Sequence, residues 1–262
     1  MAYKTIELER DGDVAIIRLN DPATLNAVTV TMIEEIDAAL DEINGAARSM
    51  VLTGAGRAFC SGANLSAGMG DRKSDGPYDS GSVLESHINP LMLRLRDVPF
   101  PWVSAVKGSA AGVGCSFALA ADIVVCGESA FFLQAFARIG LVPDGGSSWI
   151  LANSIGRARA MEMMLLGERI PAAKALEWGM INRLVPDEQL MPAALVLAKA
   201  LAAGPTQALG MIRRMAWSAA NASFEDAMKT ERNNQRLAGQ TKDHREGVTA
   251  FLAKRPAQFT GL

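Results

Sequence analysis

Cysteine and histidine are scarce in this sequence, and their scarcity argues against several kinds of site. Of 262 residues, three are cysteine and two are histidine. No Cys-x-x-Cys pair occurs, and only His87 and His244 are available as imidazole ligands, so we expect no metal centre. The odd number of cysteines without a close pair argues against a disulfide framework. We expect Cys60, Cys115 and Cys126 to be buried small hydrophobic side chains in a reducing compartment.

Long apolar runs and a strong charge of one sign are also missing. No uninterrupted apolar stretch reaches the length needed to cross a bilayer, and residues 1–10 alternate apolar with charged side chains, unlike a signal peptide. The net charge is −2 with both signs intermixed, which argues against a nucleic-acid partner. The sequence therefore predicts a cytoplasmic protein that binds neither nucleic acid nor a membrane.

Complete nucleotide-binding and hydrolase motifs are absent as well. Residues 54–56 and 112–114 each read Gly-x-Gly but lack the third glycine of the dinucleotide fingerprint. No P-loop occurs, and neither Ser109 nor Ser116 sits in a Gly-x-Ser-x-Gly elbow. Both glycine turns do offer backbone N–H groups that stabilise a developing oxyanion. Taken alone, each turn is better explained by helix initiation and tight packing than by oxyanion binding.

The pattern of apolar residues divides the chain into an α/β part and a later helical part. Short apolar runs predict strands at residues 14–19, 50–53, 102–106 and 123–126. Helices are predicted at residues 31–44, 115–121, 157–166, 171–178, 189–203, 206–219, 224–237 and 242–253. Residues 66–82 are rich in Gly, Ser and Asp, which predicts a long mobile loop; loops of this length inside compact domains are usually functional or disordered.

Four ordered blocks of the sequence resemble the acyl-CoA signatures of the crotonase, or enoyl-CoA hydratase/isomerase, family. The blocks are residues 56–65, residues 107–115 with 121–123, residues 139–146 and residues 175–181. Their order and spacing match the family across nearly the whole chain. A C-terminal run, residues 235–239 with 245–248 and 251–252, resembles the branch of the family that isomerises a ring epoxide in bacterial phenylacetate degradation.

This resemblance implies an α/β fold and an acyl-CoA thioester substrate. The fold is a crotonase-like spiral of ββα units over residues 1–200, followed by a helical region, 201–262, that joins subunits into homotrimers or homohexamers and covers coenzyme A. No separate cofactor is expected, because coenzyme A is part of the substrate. By matching position, the backbone N–H groups of Ala63 and Val113 hold the thioester oxygen. Two positions depart from the family pattern: Asn64 stands where the family usually has Asp, and Val113 stands where it has Gly or Ala. The N–H donors of Ala63 and Val113 belong to the main chain, so neither departure removes them.

The residues at the family's acid–base positions favour isomerisation over hydration. Hydratases of the family use two glutamates, and by alignment these positions hold Ser116 and Phe136, neither of which is a carboxylic acid. Asp144 matches the position of the base in isomerases of the phenylacetate type, and one base suffices to move a proton along a conjugated thioester. The alternative for Asp144 is an ordinary Pro-Asp-Gly-Gly turn, or a cap for a helix that begins near Ser147.

Three functions stay open at this point. The first is an isomerase that shifts a double bond or rearranges a ring epoxide of a CoA thioester, with Asp144 as the base. The second is an enoyl-CoA hydratase that uses Asp144 alone or with a group from the 66–82 loop. The third is a catalytically idle subunit that binds acyl-CoA or has a structural role.

A few other side chains carry smaller expectations. Asp122 ends a helix before a strand and is expected to be a structural hydrogen-bond partner. Glu85 and His87 follow the predicted loop and are expected to be solvated, with contact to the acyl group as the alternative. Phe251 and Phe259 are expected to be packing residues of the C-terminal segment.

Overall fold

The computed structural model describes residues 3–67 and 79–262 of the chain. Within these residues the strands are β1 (Ile6–Asp11), β2 (Val14–Leu19), β3 (Ser49–Gly54), β4 (Trp102–Val106), β5 (Ser109–Ala111), β6 (Ile123–Gly127), β7 (Phe131–Leu133), β8 (Ile170–Pro171) and β9 (Arg183–Val185). The α-helices are α1 (Val30–Ile43), α2 (Asn89–Asp97), α3 (Val113–Leu119), α4 (Ser147–Leu166), α5 (Ala172–Glu177), α6 (Leu190–Ala202), α7 (Thr206–Ala219), α8 (Phe224–Ala238) and α9 (Lys242–Leu252). The predicted loop at 66–82 falls mostly on residues 68–78, outside those described.

The larger sheet has the strand order β1-β2-β3-β4-β6-β9 in the described residues. Strand β1 pairs antiparallel with β2, and every later neighbour is parallel. Its central strands are almost continuously apolar because helices cover both faces. Ile16, Val51 and Val103 pack with α6 on one face. Ile17 and Leu52 belong to the main core on the opposite face, as the two-residue period of a strand requires.

Strands β5, β7 and β8 form a second, smaller sheet in the described residues. Strand β5 pairs parallel with β7, and β7 pairs antiparallel with β8. The chain order strand–strand–helix recurs as β1-β2-α1, β4-β5-α3 and β6-β7-α4. This repetition confirms the predicted ββα units, and it places the start of α3 directly after β5.

The predicted elements agree with the structure where the apolar pattern is strong and differ where it is weak. Helix α7 has the predicted bounds, and the four predicted strands are present within one residue at each end. Helix α3 begins at Val113 rather than residue 115, because Gly112 with φ 52° already turns the chain into it. Helix α4 begins at Ser147, where the capping alternative for Asp144 placed a helix start, although periodicity predicted only residues 157–166. Gly156 with φ 76° interrupts α4 and hides its first half from periodicity.

The cysteines and the C-terminal phenylalanines test two packing expectations. Cys60, Cys115 and Cys126 are buried and free, as expected. Phe259 packs against α9, since a Cβ placed on Gly247 lies 3.4 Å from its ring. The expectation for Phe251 is wrong within one chain: this side chain is 82% exposed on α9.

The carboxylates outside the signature blocks also have clear places. Asp122 is a structural partner, as expected: its carboxylate accepts from the Trp102 backbone N–H at 2.8 Å and from Arg213 Nε at 2.9 Å. Glu85 is exposed, in agreement with the expectation of solvation. His87 is only partly exposed; its Nδ1 lies 2.7 Å from the Ser86 hydroxyl, and its Nε2 lies 3.9 Å from the Glu34 carboxylate.

Helices α6 and α7 are the consecutive pair that comes nearest to a membrane-spanning composition. Only when they are taken together are the two segments long and apolar enough to span a bilayer; they are Asp187–Ala202 and Thr206–Ala219, and the chain bends by 109° between them. The side chains of Leu190, Ala194 and Ala198 on α6 are buried against the large sheet. No single helix within residues 3–67 and 79–262 is long and apolar enough to cross a membrane.

Candidate active site

A cavity of about 600 Å³ lies beside the start of α3. Four of the residues singled out from the sequence line it: Ala63, Val113, Phe136 and Asp144. The wall is mostly apolar, with contributions from Leu84 and Ile88 of the helical segment before α2, among others. Among the lining residues that the structure describes, Asp144 is the one carboxylate.

Backbone pairing holds the two glycine turns side by side at this cavity. The Cys60 N–H donates to the Ser109 carbonyl at 2.9 Å, and the Ala111 N–H donates to the Cys60 carbonyl at 3.0 Å. Beyond this ladder the chains approach closely at Gly62, where a Cβ would lie only 3.0 Å from the Ala111 carbonyl oxygen. A Cβ on Gly112 would make an ordinary contact, 3.8 Å from the Gly62 Cα. Both glycines also have positive φ, so other residues are strained there.

Two residues of these turns, Ala63 and Val113, line the cavity and carry backbone N–H groups that the fold does not pair within the described residues. Ala63 lies between two anchored neighbours: the Val28 N–H donates to the Gly62 carbonyl at 2.8 Å, and the Asn64 N–H donates to the Val28 carbonyl at 2.9 Å. Val113 is the first residue of α3, where the helix itself offers no acceptor. Across the described chain segments, the N–H groups of Ala63 and Val113 have no hydrogen-bond acceptor.

The first turn depends on a buried asparagine that sequence reasoning missed. Asn26 is fully buried with φ 57°, a left-handed conformation that asparagine tolerates better than most residues. Its Nδ2 lies 3.0 Å from the Ala55 carbonyl oxygen, 2.9 Å from that of Ala58 and 3.2 Å from that of Phe59. These contacts hold the segment that leads from β3 into the turn. No local sequence signal pairs residue 26 with residues 29 to 33 positions away.

Backbone atoms of Asp144, not its side chain, form the turn before α4. The Asp144 carbonyl accepts from the Ser147 N–H at 3.0 Å, from the Ser147 hydroxyl at 2.5 Å and from the Ser116 hydroxyl at 3.1 Å. The N-cap of α4 is Gly146, and no side chain caps this helix. The alternative of Asp144 as a side-chain cap is therefore wrong, which leaves its carboxyl group without a local structural role.

Asp144 is half-buried, and its carboxyl group lies against a mostly apolar cavity wall. Its Oδ1 is shielded from solvent and has no hydrogen-bond partner among the residues described. Burial raises the pKa of Asp144 to about 6, because an apolar wall disfavours the charged form. At neutral pH the group is thus an ionised carboxylate that is more basic than an ordinary aspartate. A carboxylate of this kind is suited to take a proton from carbon and return it.

The positions that hold glutamate in the family's hydratases have separate places here. Phe136 lies on the cavity wall with 9% of its surface exposed, and its Cζ lies 3.5 Å from a Cβ placed on Gly112. Ser116 is fully buried and is not among the lining residues; it lies behind the wall, under the turn of Asp144. No carboxylate occupies either position.

Arg138 is a lining residue that sequence reasoning missed. It is the one cation among the lining residues in the described part of the chain, and it is exposed on the short 3₁₀ turn Phe136–Ile139. Leu84 and Ile88, also missed, are four residues apart in one helical segment, so helical periodicity is the signal that could have identified them. For Arg138 no periodic signal exists.

Comparisons with known proteins agree with this architecture over the whole chain. The enoyl-CoA hydratase/isomerase family model matches residues 9–262. The chain is 44% identical over 253 residues to the 1,2-epoxyphenylacetyl-CoA isomerase of Escherichia coli, covering 95% of each protein. It is 41% identical over 261 residues to a protein of Rhodobacter capsulatus named "Probable enoyl-CoA hydratase", covering 100% of each. The crystal structure of an enoyl-CoA hydratase from Bacillus anthracis matches with a TM-score of 0.92 and 28% identity, over 99% of this chain and 100% of that one.

Fold and family match together define an enzyme of the crotonase type. The chain belongs to the enoyl-CoA hydratase/isomerase family. The predicted crotonase-like α/β fold is confirmed by the structural match. Relatives with isomerase names and relatives with hydratase names both resemble the chain, so family membership does not choose between the two reactions.

Proposed function

We propose that this enzyme isomerises an acyl-CoA thioester, by shifting a double bond or rearranging a ring epoxide, with Asp144 as the base. The observation that carries the proposal is the lone carboxylate on the described cavity wall, with an Oδ1 that has no hydrogen-bond partner in the described structure. Two backbone donors without acceptors, at Ala63 and Val113, belong to the same wall. One base and one oxyanion site are what a proton shift next to a thioester requires.

For the double-bond shift, the proposed reaction moves one proton from one carbon of the acyl group to another and leaves the atoms of the substrate in balance. The N–H groups of Ala63 and Val113 donate to the thioester oxygen as negative charge develops on it. Asp144 removes a proton from a carbon of the conjugated system, and the electrons left behind form the enolate. The protonated Asp144 then returns the proton to another carbon and the thioester carbonyl reforms. Each oxyanion donor is worth roughly 10²–10³-fold in rate in enzymes where it has been removed.

Within the described residues, the site lacks a second carboxylate of the kind that hydration of an enoyl thioester needs. Adding water to an enoyl thioester requires a positioned water and a second proton-transfer group. Ser116 is buried behind the wall and Phe136 contributes an apolar ring, so neither position supplies a carboxylate. A hydratase remains the second candidate because relatives such as the R. capsulatus protein carry that name. An idle acyl-CoA-binding subunit is the third.

The remaining parts of the proposal follow from the family. The name of the E. coli relative supports a CoA thioester as substrate and an aryl ring epoxide as one acyl group to test. Coenzyme A enters as part of the substrate, and no further cofactor is proposed. We place the enzyme in the cytoplasm, where Cys60, Cys115 and Cys126 stay reduced. Homotrimers or homohexamers are the proposed assembly.

The decisive experiment replaces Asp144 with its neutral isostere. Asp144→Asn is expected to abolish the exchange of substrate protons with deuterated water, measured by the mass of the recovered CoA ester. Binding of the CoA ester, measured by calorimetry, should persist because the backbone donors remain. Glu85→Gln is the matched control, since Glu85 is an exposed carboxylate near the 66–82 segment. Full exchange by the Asn variant refutes the role of Asp144.

A substrate panel separates the rival functions. Loss of the conjugated absorbance of crotonyl-CoA in the native enzyme would favour a hydratase over an isomerase. Binding without turnover across 2-enoyl, 3-enoyl and aryl CoA esters would favour an idle subunit. We expect turnover of a 3-enoyl or ring-epoxide ester and little hydration.

A further inference from the structure

The hydroxyl group of Ser116 joins the two halves of the proposed site. Ser116 lies on α3, three residues after Val113, and is fully buried. Its Oγ donates to the carbonyl oxygen of Asp144 at 3.1 Å, across 28 residues of sequence. One end of this contact belongs to the helix that begins with the proposed oxyanion donor. The other end belongs to the backbone of the proposed base.

Of the three donors to the Asp144 carbonyl, only Ser116 comes from a distant part of the chain. The Ser147 N–H and hydroxyl belong to the first turn of α4, so they set only the internal shape of the turn. The Ser116 hydroxyl sets where that turn lies relative to α3. The packing is close at this point, since a Cβ on Gly145 would lie 3.0 Å from the Ser116 Cβ and 3.3 Å from Val113 Cγ2.

We propose that Ser116 is a positioning residue that holds the Asp144 carboxyl group at a fixed distance from the Val113 N–H. This inference rests on the proposed function. Two links connect the Val113 N–H to the backbone of Asp144. The first is less than one turn of α3, about 4.5 Å of helix rise from Val113 to Ser116. The second is the hydrogen bond from the Ser116 hydroxyl to the Asp144 carbonyl. Proton transfer depends steeply on geometry: a misplacement of about 1 Å costs on the order of 10²-fold in rate.

The contact is suited to positioning more than to stability. Without the Ser116 hydroxyl, the Asp144 carbonyl keeps both of its Ser147 donors, so no buried acceptor is left unpaired. Loss of the hydroxyl should therefore release the turn from α3 while the fold persists. A carboxyl group that relaxes toward water also loses part of the burial that raises its pKa.

The test compares variants that differ in the hydroxyl group alone. Ser116→Ala is expected to lower kcat by 10- to 100-fold while KM changes less than about twofold. Ser116→Thr and Ser116→Val have nearly the same shape, so any overpacking is common to both. The Thr variant should retain a higher kcat than the Val variant because it keeps the donor. The acid limb of the kcat profile of Ser116→Ala should move to lower pH.

Ser104→Ala is the matched control. Ser104 is also fully buried, and its hydroxyl donates to a carbonyl of α3, that of Ala118, at 2.7 Å, at the end of the helix away from Val113. If Ser104→Ala lowers kcat as much as Ser116→Ala does, the effect is general loosening of α3 and the positioning role is refuted. A Ser116→Ala enzyme with native kcat refutes it too.

Asp144→Asn measured in parallel separates the two proposals. An inactive Asn variant together with a fully active Ser116→Ala variant refutes only the positioning role. Native turnover by Asp144→Asn refutes the proposed function and the positioning role with it. An inactive Asn variant with a slowed Ser116→Ala variant, unchanged KM and a native Ser104→Ala control supports both.

Discussion

At the scale of single residues, the chemistry rests on one carboxyl group whose backbone and side chain have different roles. The Asp144 carbonyl is used by the turn, while Oδ1 has no partner among described residues. An aspartate that caps a helix has its charge stabilised by backbone N–H groups, which lowers its pKa. Because Asp144 caps nothing, burial acts unopposed and raises its pKa to about 6.

The raised pKa predicts the pH dependence of the reaction. The base must be ionised, so kcat/KM should be constant well above pH 6 and fall tenfold per pH unit well below it. An ordinary aspartate, with a pKa of about 3.9, would keep full activity down to about pH 5. The measurement is kcat/KM of the native enzyme between pH 4.5 and 9 by the proton-exchange assay. An acid limb centred near pH 4 would contradict the buried setting of Asp144.

The backbone donor at Val113 can be removed by a side-chain substitution. Proline lacks the N–H and is favoured at the first position of a helix, which Val113 occupies in α3. Val113→Pro should lower kcat by roughly 10²–10³-fold. Because the Val113 side chain is buried, with 1% of its surface exposed, the substitution also costs some stability. Val113→Ala keeps the N–H and is the control; thermal unfolding of both variants checks the fold. Equal activity of the two variants would exclude this N–H as an oxyanion donor.

At the scale of elements, one buried arginine connects α7 to the core. Arg213 is 4% exposed; its Nε lies 2.9 Å from an Asp122 carboxylate oxygen, and its Nη1 donates to the carbonyls of Arg96 and Val98 at 2.7 and 2.6 Å. Burial raises the pKa of Asp122 and the charge of Arg213 opposes that shift. Helix α7 is thus held by a buried ion pair, and removal of either side chain leaves the other charge buried without its counter-ion.

Removal of this arginine should be strongly destabilising. Arg213→Ala leaves the Asp122 carboxylate buried without its cation, and we expect the free energy of unfolding to fall by about 3–5 kcal/mol. Arg214→Ala, at the adjacent exposed position, is expected to change it by less than about 0.5 kcal/mol. Urea denaturation followed by circular dichroism measures both. A small effect at Arg213 would show that α7 is held by its apolar contacts alone.

At the scale of the whole molecule, the C-terminal helices carry large apolar side chains that one chain leaves uncovered. Phe224, Phe251 and Leu252 are 74%, 82% and 75% exposed. We expect these faces to be buried between subunits, so that light scattering gives a particle three or six times the 27.8 kDa chain mass. Phe251→Glu should reduce that mass, whereas Val196→Glu on α6, at a side chain 67% exposed, should not. A monomeric native protein would contradict the predicted assembly.

The division of the chain into residues 1–200 and 201–262 stays a prediction. In the structure, hydrogen bonds connect the two regions. Arg48 donates from its guanidinium to the Gly204 carbonyl at 2.6 Å and to the Phe259 carbonyl at 3.1 Å. Arg213 makes a second connection from α7 to the core. The helical region is therefore anchored to the α/β core through charged hydrogen bonds, whose donors and acceptors are far apart in sequence.

Local pattern alone determined much of this protein. The apolar runs of β2, β3, β4 and β6 and the periodicity of α7 were sufficient to predict these elements, because each depends on neighbours within a few residues. Strands such as β8, two residues long, were not predictable, since partner strands stabilise them. The four signature blocks also predicted the family, because their order and spacing are properties of the chain itself.

Only the tertiary structure decided what the candidate residues are placed to do. It brought Ala63 beside Val113 through a ladder between segments some 50 residues apart, and it put Ser116 behind the wall rather than on it. It also left the Asp144 Oδ1 buried without a partner in the described chain. Burial, an unpaired donor and a raised pKa all depend on groups distant in sequence, and no local pattern of side chains encodes them.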